Sequence, residues 1–141
     1  MSSLEKRAWL SLISMFPAYL AYFTVVISLP SLLPGMLQQI SWLAIIACIH
    51  AVIYLAGYMV FKRQERMDHL LSDERDHAIE GRATRIAYFL LMAGMILVGA
   101  VMPFEKSGWD IANTALLVVV LCESLRDLLI IRGYRTPRFA H

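Results

Sequence analysis

The chain has 141 residues, 59% hydrophobic and 17% charged, with a formal net charge of +2. That mix is more apolar than a typical globular domain, at about 45–50% apolar and 25% charged. It excludes an ordinary soluble core, and two cysteines set far apart exclude a disulfide framework. Distribution matters more than totals: between Arg7 and Lys62 a run of 54 residues, Ala8 to Phe61, contains no Asp, Glu, Lys or Arg. A bilayer crossing takes roughly 20 apolar residues, so this run holds two helices and a turn at Pro30, Ser31, Pro34 and Gly35.

The first predicted helix covers about residues 9–29. Lys6 and Arg7 precede it as in a secretory signal peptide, but the apolar run is too long, Pro17 interrupts it, and no small-residue cleavage site follows. Pro17 removes a backbone donor, and Ser14 is a nearby hydroxyl able to satisfy the freed carbonyl. The second helix covers 36–61, with a small-residue face of Ala44, Ala47, Cys48 and Ala51 suited to close packing. His50, near its middle, is the single ionisable side chain of the uncharged run apart from cysteine and tyrosine. Cys48 and, further on, Cys122 read as small buried packing residues.

Residues 62–85 form a polar hairpin with six positive and six negative side chains. Net neutrality argues against a polybasic lipid or nucleic-acid patch, which needs an excess of Lys and Arg, and for protein pairing, so no nucleic-acid partner is expected. Ser72 followed by Asp73, Glu74 and Asp76 is a helix start, a hydroxyl cap with acids at the positive end of the dipole. The third span, 86–103, is thus expected to begin in the cytoplasm near Asp73. Asp73, Asp76, His77 and Glu80 then share one face, and with Glu74 and Arg75 they form the expected partner or salt-bridge surface. Asp76 and Glu80 repel each other at i, i+4. A structural outlet is docking of this face on the arginines near the chain end, Arg126, Arg132, Arg135 and Arg138. His69, Asp73, His77 and Glu80 could instead hold a divalent cation, although such side chains on an exposed helix are ordinarily solvated; no cofactor is expected.

The third span carries Ala93, Gly94, Gly99 and Ala100, and a short turn at 104–110 leads to the fourth, 111–131. There Glu123, Arg126 and Asp127 interrupt an apolar stretch. Glu123 is placed in the inner half of the membrane, where an ionisable group faces protein or a water-filled cavity, and Arg126 lies at i+3 to pair with it. Trp9, Trp42 and Trp109 sit near helix ends as interfacial anchors.

Counting Lys and Arg by charged patch gives 2 at the N-terminus, 6 in the central hairpin, 1 between helices 3 and 4, and 4 at the C-terminal end. With four spans, 12 positive charges share one side against 1 on the other. The positive-inside rule places both termini and the hairpin in the cytoplasm. The expected fold is an all-α, integral membrane four-helix bundle forming a single domain, with helices 2 and 3 extended into a cytoplasmic hairpin.

The pattern Asp73-Glu-Arg-Asp-x-x-Ile-Glu-x-Arg-Ala opening a membrane helix, with Glu123-x-x-Arg126 and Arg132-Gly in the last one, resembles a family of small, uncharacterised bacterial inner-membrane proteins. The resemblance covers about Ser72 to Gly133 and implies the bacterial cytoplasmic membrane and a multi-pass fold, with almost no mechanism. The residues show no convergent nucleophile, base and oxyanion set, so the chain is not expected to be an enzyme. The leading expectation is a non-catalytic membrane accessory or regulatory protein that presents the charged hairpin to a protein partner. The alternative is a small homo-oligomeric transporter or channel using His50 and Glu123.

Overall fold

The computed structural model describes residues 2–29, 35–68 and 74–136, with side chains of the second stretch described through Gln64. All regular structure among them is helical: α1 (Ser3–Ser28), α2 (Met36–Asp68), α3 (Glu74–Ile96) and α4 (Gly108–Arg135). Three stretches, Ser3–Ser28, Met36–Gln64 and Glu74–Phe104, are long and apolar enough to cross a membrane. The fourth expected span, 111–131, is not among them. Its uncharged run, Ile111 to Cys122, is 12 residues, about 18 Å against a hydrocarbon core of about 30 Å.

Each helix begins and ends for local reasons. Ser2 caps α1, its hydroxyl accepting the Glu5 N–H at 3.1 Å, with Glu5 on the positive end of the dipole. The helix therefore starts six residues earlier than the expected 9–29, and it continues through Pro17. Ser14 does not serve the carbonyl freed by Pro17; its hydroxyl donates to Ser11 O at 3.1 Å. α2 runs past Phe61 to Asp68, 33 residues in all, or about 50 Å, so its end extends beyond the apolar stretch. The expected cap Ser72 lies outside the described residues, as do Pro30, Ser31 and Pro34 of the first turn.

α3 gives way to a π turn, Leu97–Val101, and then a 3-10 turn, Met102–Phe104. Pro103 has no N–H to offer the carbonyl four residues back, and the ladder resets through Met102 N–H, which donates to Leu97 O. Ser107 then caps α4 reciprocally: its hydroxyl accepts from Asp110 N at 3.3 Å and donates to Asp110 Oδ2 at 2.7 Å. The Ser107-Gly-Trp-Asp110 spacing carries this signal in the sequence.

The described helices group into two compact units, residues 2–9 with 74–136 and residues 10–68. In the first, α3 buries Asp76, Ile79, Ala83 and Ala87 on one stripe, and α4 answers with Val120, Ser124, Asp127 and Ile131. The pairing is antiparallel: Gly133 approaches Ile79, Arg126 reaches Glu80 and Thr84, and Gly94 approaches Val118. A methyl on Gly133 would lie 2.7 Å from Ile79 Cγ2, and one on Gly94 2.5 Å from Val118 Cγ1. Small residues here set the distance between the helix backbones. In the second unit, Gly57 of α2 approaches Leu10 and His50 meets Tyr19, again with the helices antiparallel. Of the small-residue face of α2, Ala44, Cys48 and Ala51 are exposed among the described residues and Ala47 is half-buried. Cys122 is buried as expected, whereas Cys48 is not.

Candidate functional site: a polar clamp between α3 and α4

The polar residues of the first unit converge where α3 begins and α4 ends. Four helical turns of α4, from Glu123 to Arg135, place charged and hydroxyl groups toward the first three turns of α3. Arg126 is the hub. Its Nε donates to Thr84 Oγ1 at 3.2 Å, one Nη donates to Glu80 Oε1 at 3.3 Å, and the other to Glu123 Oε2 at 3.5 Å. The same guanidinium lies 4.0 Å from Asp127 Oδ1, whose side chain is only 2% exposed. The planar five-donor fork of arginine is what lets one residue serve three acceptors and a neighbouring carboxylate.

A second contact lies one to two turns nearer the ends. The Tyr134 hydroxyl donates to Asp76 Oδ1, and the Arg75 guanidinium stands 5.8 Å from the Tyr134 ring centroid. Burial, and then the bond to Asp76, push the Tyr134 hydroxyl up to about 12, against opposing effects of Ser2 and Arg75. The cap and second turn of α1 join this end of the unit: the Ser2 side chain interacts with the Tyr134 hydroxyl, and Arg135 sits 5.5 Å over the Trp9 ring. Trp9 thus holds a cation–π contact and, with α1 starting at Ser3, sits in the second turn of the helix and not at its expected end.

The expected repulsion between Asp76 and Glu80 is relieved by giving each carboxylate its own partner on α4, a phenol for Asp76 and a guanidinium for Glu80. Glu74, Arg75 and His77 of the expected partner face are exposed. Asp73 lies outside the described residues, as do His69 and Arg138. Two of the four proposed cation ligands are therefore not described, and among the described residues no group of three His, Cys, Asp or Glu could hold a metal ion.

Glu123 is not sequestered: its side chain is 48% exposed and tied to Arg126. The buried acid of α4 is Asp127. Ser124, also buried, satisfies itself by donating to Val120 O at 2.7 Å. Tyr134 and Trp9 were not legible as site residues, because their partners are remote in sequence. Compared with known proteins, the chain matches no family model, no curated protein and no solved structure.

The other unit has no comparable ionic network among its described residues. His50 contacts Tyr19 edge-on at 5.6 Å and Tyr54 at 6.2 Å between ring centroids. Tyr54 stacks on Tyr58 at 6.3 Å, and Lys62 Nζ lies 5.7 Å from the Tyr58 centroid. The i, i+4 spacing of His50, Tyr54, Tyr58 and Lys62 makes one continuous row along α2. His50 thus has aromatic neighbours on both sides.

Proposed function

We propose that the protein is a non-catalytic accessory or regulatory protein of the bacterial cytoplasmic membrane, with both termini in the cytoplasm, that presents the start of α3 to a protein partner. The observation that carries this reading is the division of labour on α3. Asp76 and Glu80 are occupied by Tyr134 and Arg126 of α4, while Glu74, Ala78, Gly81 and Arg85 are exposed on the other side. The clamp holds α3 straight and aimed, and the outward face supplies small residues at its centre with opposite charges at its two ends. A helix of a partner protein with complementary charges would pack there.

The orientation rests on the charge asymmetry of 12 against 1, and on α4 returning alongside α3, which brings the last arginines to the side where α3 begins. With α3 in the bilayer, α4 crosses beside it despite its short uncharged run, Arg126 being met by Glu80 and Thr84 of α3, Asp127 being buried, and Glu123 being paired with Arg126. The resemblance to small inner-membrane proteins of bacteria agrees with this placement. A homo-oligomeric transporter has less support, since Glu123 is engaged by Arg126 and His50 by aromatic rings.

The test is charge reversal outside the clamp. Glu74→Lys combined with Arg85→Glu, in the full chain in native membranes, is expected to abolish co-purification of the partner while helicity and membrane insertion persist. Retention of every co-purifying protein by that variant would refute the reading.

A further inference from the structure

The row on α2 has an organisation that the α3 face does not explain. His50, Tyr54, Tyr58 and Lys62 succeed one another at each helical turn, running from the middle of the apolar stretch to the first cation at its end. The rings are in register: Tyr54 and Tyr58 are tilted by only 16° to each other. Lys62 is exposed, yet its ammonium is held over Tyr58. Tyr19 closes on His50 at the deep end, and nearer the cation, between Tyr54 and Tyr58 in sequence, Gly57 lies against Leu10 of α1. The row therefore runs along α2 from a contact with α1 at His50 to an accessible cation at Lys62.

We infer that this row binds one anionic phospholipid, its phosphate on Lys62 and its acyl chain along Tyr58 and Tyr54. An ammonium at the end of a membrane stretch attracts anionic headgroups through a few ångströms of low-dielectric interface. Held over Tyr58, it loses less side-chain freedom on binding than a freely snorkelling lysine. The tyrosine rings supply flat apolar area for the chain. Opposite charge is what selects the occupant: Lys62 and the adjacent Arg63 are both exposed, and Gln64 follows them. The site rests on α2 lying in the bilayer and is independent of the partner surface on α3.

The experiment is native mass spectrometry of the full chain released from nanodiscs of phosphatidylcholine and phosphatidylglycerol in equal amounts, with circular dichroism as the folding control. Wild type is expected to retain one phosphatidylglycerol in preference to phosphatidylcholine. Lys62→Gln should lower that preference roughly five-fold, Tyr58→Leu should lower it less, and Lys62→Arg should keep it. Arg63→Gln separates a built site from general surface charge. An effect of Arg63→Gln equal to that of Lys62→Gln would overturn the proposal, as would equal retention of both lipids by wild type. Displacement of the bound lipid by millimolar inorganic phosphate would also overturn it, since the cation would then be binding any phosphate rather than a lipid.

Discussion

The two units solve the same problem, holding antiparallel helices together, with different chemistry. α3 and α4 meet at one end through charged and hydroxyl groups with Gly133 set against Ile79 among them, and further along through Gly94 set against Val118. The stretch of α1 from Leu10 onward meets α2 through aromatic rings and a glycine set against a leucine. The ionic contact has directional partners and so specifies register, whereas ring contacts tolerate small displacements at modest cost. The first arrangement suits a surface that must be aimed; the second suits a lipid-facing pair.

The largest expected effect is at the hub. Arg126→Met removes the donor shared by Glu80, Glu123 and Thr84, and should destabilise the α3–α4 pair by about 2 kcal/mol, read as a lowered midpoint of unfolding in mixed micelles. Arg126→Lys should recover only part of that loss, because one ammonium cannot reproduce the fork. A silent Arg126→Met would mean the clamp does not determine register, and the contrast between the units would collapse.

Next come the glycines. Gly133→Ala sets a methyl against Ile79, and Gly94→Ala sets one against Val118; both neighbours are stiff at χ1 and resist displacement. Overpacking of this kind costs about 1–3 kcal/mol, reduced by about 1 kcal/mol of improved helix propensity. Gly57→Ala in the other unit meets both Cδ atoms and the Cγ of Leu10, a side chain unbranched at Cβ that can rotate away, so it should be the least damaging of the three. In thermal unfolding of the three variants side by side, Gly57→Ala proving the most damaging would mean that the α1–α2 contact is the less tolerant of the two.

A smaller effect concerns Tyr134. Tyr134→Phe should cost about 1 kcal/mol through the lost bond to Asp76. The hydroxyl is raised in the folded chain to about 12, from an ordinary value near 10. Its stabilising contribution is therefore complete below about pH 10 and disappears as pH rises toward 12. Stability measured across that window should fall more steeply in wild type than in Tyr134→Phe, and parallel curves would dismiss the contact. Smallest of all, Glu123→Gln should change stability by under about 1 kcal/mol, since an ion pair this exposed contributes little; a large loss would mean the carboxylate is needed for more than its bond to Arg126.

Much of this arrangement was legible beforehand where the cause is local. Helix existence follows from apolar run length, and the Glu123–Arg126 contact follows from i, i+3 spacing on one helix. The Ser107 cap was equally available, from a serine three residues ahead of an acid before an apolar run. The exposure of Glu123 and the burial of Asp127 were not legible, because both depend on which side of α4 faces α3. That choice is a rotation of the helix about its axis, and charged residues on three of its sides leave the apolar pattern too weak to announce it.

By itself the sequence determined that this chain builds long apolar helices separated by charged patches, because uncharged runs longer than a bilayer is thick have no place in a soluble core. Tertiary structure alone decided which charges meet. Tyr134 lies 58 residues from Asp76 and Arg126 lies 46 from Glu80, and no periodicity within either helix encodes a partner on the other. Such pairs exist only once Gly133 and Gly94 let α3 and α4 approach in one register, since a shift of a single turn would carry every donor about 5 Å from its acceptor.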